Sequence, residues 1–243
     1  MHVAILGATS ALAHHTAREF ARTEHASFLL VGRNAERLQT IAADLTAYGA
    51  AGCRCLTLDF SDPAAAAAWL PVGDAPRPDL VLIAHGSLSD EARAASDAGY
   101  ATHELDVNLA SAIRLAYAAA TDFEARGKGQ LAIVTSVAGE RGRASNFFYG
   151  AAKAGLIAFC SGLRARLSRK GIPLTELRPG SLATPMTAHL PQGALFCPVD
   201  KAGRLCAAAI RRQADIAWIP GWWRWIMLII RLLPERIFKG VKF

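Results

Sequence analysis

Cysteine is scarce and odd in number, with five among 243 residues, which excludes a disulfide scaffold. No uninterrupted apolar run reaches the roughly 18 residues of a membrane span. Met1-His2 supplies no basic leader, and an apparent strand and a glycine follow at once, so no secretory signal is expected. Charge is thin as well. Charged residues make up 19% and hydrophobic residues 52%, too apolar for a disordered chain and ample for one sizeable core. At this length a single domain is the expectation. These absences leave a soluble or membrane-surface protein of the cytoplasm.

Acidic residues are short in one place above all. The net charge is +7, and the segment 201–243 holds nine basic residues against two acidic ones. The first 200 residues are therefore neutral. A basic end on a neutral body argues against nucleic-acid binding and marks the C-terminus as special.

What is present is alternation. Short apolar runs occur at His2–Leu6, Ser27–Val31, Arg54–Leu58, Asp79–Ala84, Gln130–Thr135, Pro173–Arg178 and Ile216–Ile219. Between them lie stretches of helical composition at Ala11–Thr23, Asn34–Tyr48, Ala64–Leu70, 97–126, Phe147–Lys170 and 199–213. Buried strands joined by helical crossovers predict an α/β fold: a doubly wound parallel sheet of about seven strands.

The first predicted strand ends in Gly7-Ala8-Thr9-Ser10-Ala11-Leu12-Ala13. In such a sheet this turn offers helix-terminal N–H groups to a pyrophosphate. Gly7 permits the turn, and the hydroxyls of Thr9 and Ser10 suit phosphate oxygens. Taken alone the turn is a weak signal, because the second and third glycines of the dinucleotide fingerprint are missing. At the end of the second strand, where an acid would select NAD(H), the chain reads Gly32-Arg33-Asn34. A guanidinium suits a 2′-phosphate, and Arg37 lies one helical turn further on, so NADP(H) is favoured, with NAD(H) as the alternative.

Ser136 ends the fifth strand. Tyr149 and Lys153 are four apart, on one side of a predicted helix. Asn108 lies inside the preceding helix. An ammonium beside a phenol favours phenolate, which is the physics of a general acid/base, and a serine hydroxyl can orient a substrate oxygen. A lone Tyr-x-x-x-Lys is common by chance. A pair that follows a strand-ending Ser in a nucleotide-binding pattern is far more specific.

On these residues the chain resembles the short-chain dehydrogenase/reductase family, from Gly7 to about Trp218. The resemblance implies a Rossmann-type sheet and a carbonyl reductase or alcohol dehydrogenase. Tyr149 would protonate the carbonyl oxygen as hydride arrives, and Lys153 would lower its pKa and hold the nicotinamide ribose. Ser136 would orient the carbonyl, and Asn108 would hold a water of the proton relay. The cofactor set implied is Gly7, Thr9, Ser10, Leu12, Arg33, Asn34, Asp59, Phe60, Ala84, His85, Gly86, Tyr149, Lys153, Pro179, Gly180, Leu182 and Thr184. Homodimers or homotetramers through the helices carrying Asn108 and Tyr149 are usual in the family.

Two departures stand out. Leu6, Ala11 and Ala13 occupy positions where the family has Thr, Gly and Gly, and Ile83-Ala84-His85-Gly86 replaces Asn-Asn-Ala-Gly. They motivate a rival reading, a non-catalytic nucleotide-binding protein, which the intact Ser136, Tyr149 and Lys153 oppose. A 3-oxoacyl or ketosteroid reductase shares the same catalytic residues. His85 is expected to be structural, beside the cofactor. Cys53 and Cys55 share a strand face without metal-ligand partners, so no metal is expected.

Residues 1–220 read as the reductase domain and 221–243 as an appended tail. The tail runs Gly221-Trp222-Trp223-Arg224-Trp225-Ile226-Met227-Leu228-Ile229-Ile230-Arg231 before Pro234. Tryptophans with flanking cations suit a membrane-surface helix, and a subunit interface is the competing use. With the Gly-Ala-Thr-Ser turn, the tail resembles more loosely the reductases of a polyprenyl-phosphoryl 2-keto-pentose. That implies a lipid-linked carbonyl substrate, covered by the loop Ser181–Pro198 with Met186, Leu190, Leu195 and Phe196.

Overall fold

The computed structural model describes residues 1–73, 75–189 and 191–240, so Leu190 and the last three residues of the tail lie outside the described residues. The elements, in order, are β1 (His2–Leu6), α1 (Ala11–Glu24), β2 (Ser27–Gly32), α2 (Ala35–Ala47), β3 (Gly52–Thr57), α3 (Ala65–Ala68) and β4 (Leu80–Ile83). Next come α4 (Glu91–Ser96), α5 (Ala98–Leu105), a π-helical turn (Asp106–Ala110), α6 (Ser111–Arg126), β5 (Gln130–Val134), a 3₁₀ turn (Val137–Glu140) and α7 (Phe147–Ser168). The chain closes with β6 (Leu174–Pro179), β7 (Leu182–Ala183), a 3₁₀ turn (Pro185–Thr187), β8 (Cys197–Pro198), α8 (Val199–Arg211), β9 (Ile216–Ile219), α9 (Trp223–Leu232) and α10 (Glu235–Phe238).

Seven strands form one parallel sheet in the order β3-β2-β1-β4-β5-β6-β9. The expected doubly wound sheet is what the chain builds. Side chains alternate across it with period two. Val3, Ile5, Phe28, Leu30, Leu80 and Leu82 join a core completed by α1, α2 and α8. Ala4, Leu6, Leu29, Val31, Val81 and Ile83 join a second core under α3, α6 and α7. Strand order reverses between β1 and β4, which opens a crevice at the carboxyl ends of the strands.

The long helix expected over 97–126 is α5 and α6 joined by the π-helical turn that carries Asn108. Such a single-turn insertion leaves no trace in apolar periodicity. The helix expected around Ala64–Leu70 contracts to four residues. Two short features carry no pattern of their own. One is α4, capped by Asp90, whose side chain accepts from Arg93 N. The other is the β7–β8 pair, which closes the Ser181–Pro198 loop on itself. After the sheet ends, α9 and α10 return to it. Trp223, Met227, Ile230 and Phe238 bury themselves with Val137 in a third apolar cluster.

Candidate active site

The crevice is a cleft of about 990 Å³. Its floor at β1 is a tight turn in which Gly7 N and Ala8 N both donate to Val31 O, at 2.9 and 3.0 Å. Gly7 has φ +93°, and a Cβ there would lie 2.5 Å from the backbone N of His85. Only glycine fits, both by conformation and by space. Ser10 caps α1, its hydroxyl accepting from Ala13 N at 3.5 Å, so the positive end of α1 faces the cleft. Thr9, Ser10, Ala11 and Leu12 line this end with Arg33 and Arg37. Asp59 also lines it, its carboxylate held below the usual range by the N–H of Ser61, at 3.0 Å.

Of the residues expected at the site, all but two line the cleft. Asn34 turns away because its side chain caps α2, accepting from Arg37 N at 2.9 Å. Asn108 is buried behind the wall. Its amide donates to Ser87 Oγ and to Glu104, each at 3.2 Å, and accepts from Ser87 N at 3.1 Å. The Asn108 side chain is thus occupied in fixing the β4 loop.

His85 sits on that loop, its ring 4.8 Å from the ring of Phe60. Ser111 Oγ donates to Val107 O, which leaves it to accept from His85 Nε2 at 2.8 Å. Burial first, then the Lys153 charge, pushes the imidazole down to about 3. It is neutral at any physiological pH and serves as a wall rather than as an acid.

The reacting centre is built where β5 ends and α7 begins. Ser136 caps the 3₁₀ turn, its hydroxyl accepting from Ala138 N at 3.1 Å. One turn into α7, Tyr149 and Lys153 face the cleft together, with the Lys153 ammonium 5.7 Å from the Tyr149 ring centre. Lys153 donates to Val134 O at 3.4 Å. Burial pushes the Tyr149 phenol up to about 12, against a smaller pull from the Ser136 hydroxyl. Burial brings Lys153 down to about 8. Desolvation, which disfavours both charged forms, therefore governs the pair, and the lowering of Tyr149 expected from its lysine is not what sets its pKa. At pH 7 the pair holds a protonated phenol beside an ammonium. That arrangement can deliver a proton to an oxygen and stabilise the charge left behind.

Several cleft residues escape a sequence reading. Glu91 in α4 accepts from Phe148 N with both oxygens, at 2.9 and 3.1 Å, and so fixes the first turn of α7. Arg143 and Asn146 line the cleft from the loop before α7. Trp223 lines it from α9, pressed so close to Gly180 that a Cβ there would lie 2.0 Å from the indole. Among the described residues its buried Nε1 has no partner, nor has Nδ1 of His85. Behind the wall, Glu176 and Glu140 are almost fully buried and both pair with Arg178, while Trp218 Nε1 donates to Glu140 at 2.6 Å. A tryptophan doublet was visible in the sequence, but no periodicity says which of the two turns inward.

A family model described as short chain dehydrogenase matches residues 1–194. A protein of Streptomyces coelicolor, described as an uncharacterized oxidoreductase, is 34% identical and covers 97% of this chain and 93% of its own length. A Mycobacterium tuberculosis protein described in the same way is 32% identical over 98% of this chain and 95% of its own. Among solved structures, a short-chain dehydrogenase from Sphingobium yanoikuyae in complex with NADPH superposes with TM-score 0.80 at 24% identity, covering 99% and 96% of the two chains. A bulky-bulky ketone specific alcohol dehydrogenase from Comamonas testosteroni does so with TM-score 0.80 at 22% identity, covering 99% and 94%. At these identities the superpositions carry the fold alone.

Proposed function

The chain belongs to the short-chain dehydrogenase family and is an oxidoreductase, and on that premise we propose that it reduces a ketone with NADPH, Tyr149 giving the proton. The observation that carries this reading is the protonated Tyr149 phenol beside the Lys153 ammonium and the Ser136 hydroxyl, at one wall of a single cleft. The cleft suits a dinucleotide. The Gly7 turn leaves no room for a side chain, the N-terminal end of α1 faces the cleft, and His85 and Trp223 hold buried polar atoms without partners among the described residues.

When bound, NADPH supplies the hydride. The chain supplies everything else. Ser136 and Tyr149 hydrogen-bond the carbonyl oxygen and so hold its carbon at the cofactor. The phenol then releases its proton to that oxygen. Lys153, fixed by Val134 O, stabilises the phenolate that remains and can supply a replacement proton. Such proton donation contributes on the order of 10²–10⁴ in rate.

Arg33 and Arg37 reach the cleft from the β2 end, which supports selection of a 2′-phosphate. Met186 and Phe196 in the Ser181–Pro198 loop give the substrate side apolar walls, in keeping with a lipid-linked keto-sugar. On α9 the outward residues Trp225, Ile229 and Leu232 are 61%, 63% and 73% exposed, with Arg224 and Arg231 among them. That face supports a lipid-surface role beside a cytoplasmic body. Among the described residues no helix is long and apolar enough to cross a membrane. Exposed Tyr117 on α6 and Phe147 on α7 support a homo-oligomer through those helices.

Tryptophan-to-nicotinamide fluorescence transfer tests the cofactor assignment. NADPH is expected to bind at least about tenfold more tightly than NADH, the scale of one charge-assisted phosphate contact, and R33Q to erase the difference. Equal affinities in the native chain, or no binding of either, would sink it.

A further inference from the structure

Among the charged side chains that line the cleft, Arg143 differs from the rest. It is half-buried, yet among the described residues it has no carboxylate, carbonyl or ring against its guanidinium, and burial alone lowers its pKa. Two of the acids that line the cleft are engaged elsewhere. Glu91 accepts from Phe148 N, and Asp90 accepts from Arg93 N at 3.0 Å. Three residues on, Asn146 lines the same cleft, and its buried side-chain oxygen has no donor among the described residues. An acceptor withdrawn from water without a partner is costly, and a half-buried cation beside it is only partly solvated; a bound group that supplies both partners removes that cost.

The cofactor's 2′-phosphate does not meet this need. Arg33 follows β2, whereas Arg143 lies in the loop after β5, and β1 and β4 run between those strands. Three strand spacings separate the two arginines by about 14 Å along the sheet. Arg143 also shares its short loop with Asn146, at the entrance to the helix that carries Tyr149. It therefore stands on the substrate side of the cleft.

We propose that Arg143 reads an oxyanion, a phosphate or phosphodiester, carried by the carbonyl substrate, with Asn146 taking a hydroxyl hydrogen of the same molecule. The inference deepens the reductase reading and rests on it for the word substrate. A planar guanidinium matches two phosphate oxygens at once, which a lysine cannot do. The phosphate belongs to a soluble ester or to a lipid headgroup whose chain runs along Met186 and Phe196.

The test uses the full chain saturated with NADPH. Calorimetric titration with inorganic phosphate and with hexyl phosphate compares the native chain, R143Q, R143K and R33Q. The thermal midpoint serves as the control for folding, joined in the Arg143 variants by NADPH affinity. R143Q is expected to weaken binding of both anions by about tenfold or more, R143K to restore part of it, and R33Q to leave it unchanged. Hexyl phosphate binding more tightly than inorganic phosphate assigns a lipid-linked ester, and equal binding assigns a soluble one; either upholds the site. Binding within twofold of native in R143Q, or a loss that follows R33Q instead, overturns it. A catalytic arm compares dihydroxyacetone phosphate with dihydroxyacetone. The ratio of their kcat/KM values should fall about tenfold in R143Q, and an unchanged ratio counts against the proposal. The titration needs no turnover. A native chain that binds phosphate through Arg143 yet reduces no ketone would refute the reductase reading alone.

Discussion

Tyr149 and Lys153 are moved in opposite directions by one cause, burial, and each ends in the form that carbonyl reduction needs. The consequence is a pH profile. Lys153 loses its ammonium as pH rises through about 8, whereas Tyr149 keeps its proton to about 12. Reductive kcat/KM should therefore be level below neutrality and fall above about pH 8. K153R, which cannot deprotonate, should lower the plateau and carry the break beyond pH 10. A break that stays near pH 8 in K153R would assign it to another group. At this scale much of the site was legible. Ser136, Tyr149 and Lys153 could be recognised because strand end and helix face fix where such side chains go. Asn34 and Asn108 were placed in the cleft by resemblance, but local hydrogen bonds hold one on a helix cap and the other behind the wall. Arg143 and Trp223 depend on a loop path and a returning helix, neither of which has a period to read.

Between residues and molecule, the elements after β9 form part of the site rather than a free tail. Arg141 does most of the fastening. Its guanidinium donates to the carbonyls of Ile230 and Leu233, pairs with Glu235 at 2.9 Å and lies 3.8 Å over the ring of Phe238. Those carbonyls belong to the last turn of α9 and to its C-cap, Leu233, where no later helical N–H follows. Arg141, Arg143 and Ser136 share one short stretch, so the strap is anchored beside the proposed anion and carbonyl sites. In R141Q, amide exchange across Met227 to Phe238 should quicken by about tenfold or more while β1 and β4 keep their protection. Exchange that rises everywhere would mean that the arginine supports the whole fold instead. The seven main strands were readable as runs buried on both faces. The β7–β8 pair was not, since two residues carry no alternation.

At the scale of the whole molecule, positive charge and exposed tryptophan meet on one side. The inner face of α9 is buried on the body through Trp223, Met227 and Ile230, which leaves Trp225, Ile229 and Leu232 outward. Full-length protein should co-sediment with vesicles rich in anionic lipid, and less so as salt is raised. W225S/I229S/L232S, which spares the buried face, should remain in the supernatant. Equal pelleting of the two proteins would remove the membrane claim and favour a second subunit as the cover.

The central claim is that the Tyr149 proton and an NADPH hydride reach one carbonyl in this cleft. The most direct measurement is single-turnover reduction of an activated aryl ketone, trifluoroacetophenone, by NADPH-loaded native protein and by Y149F. Y149F should keep its NADPH affinity while the hydride-transfer rate drops by roughly 10²–10⁴. A Y149F rate within a few-fold of native, or no reduction by the native chain, would contradict it.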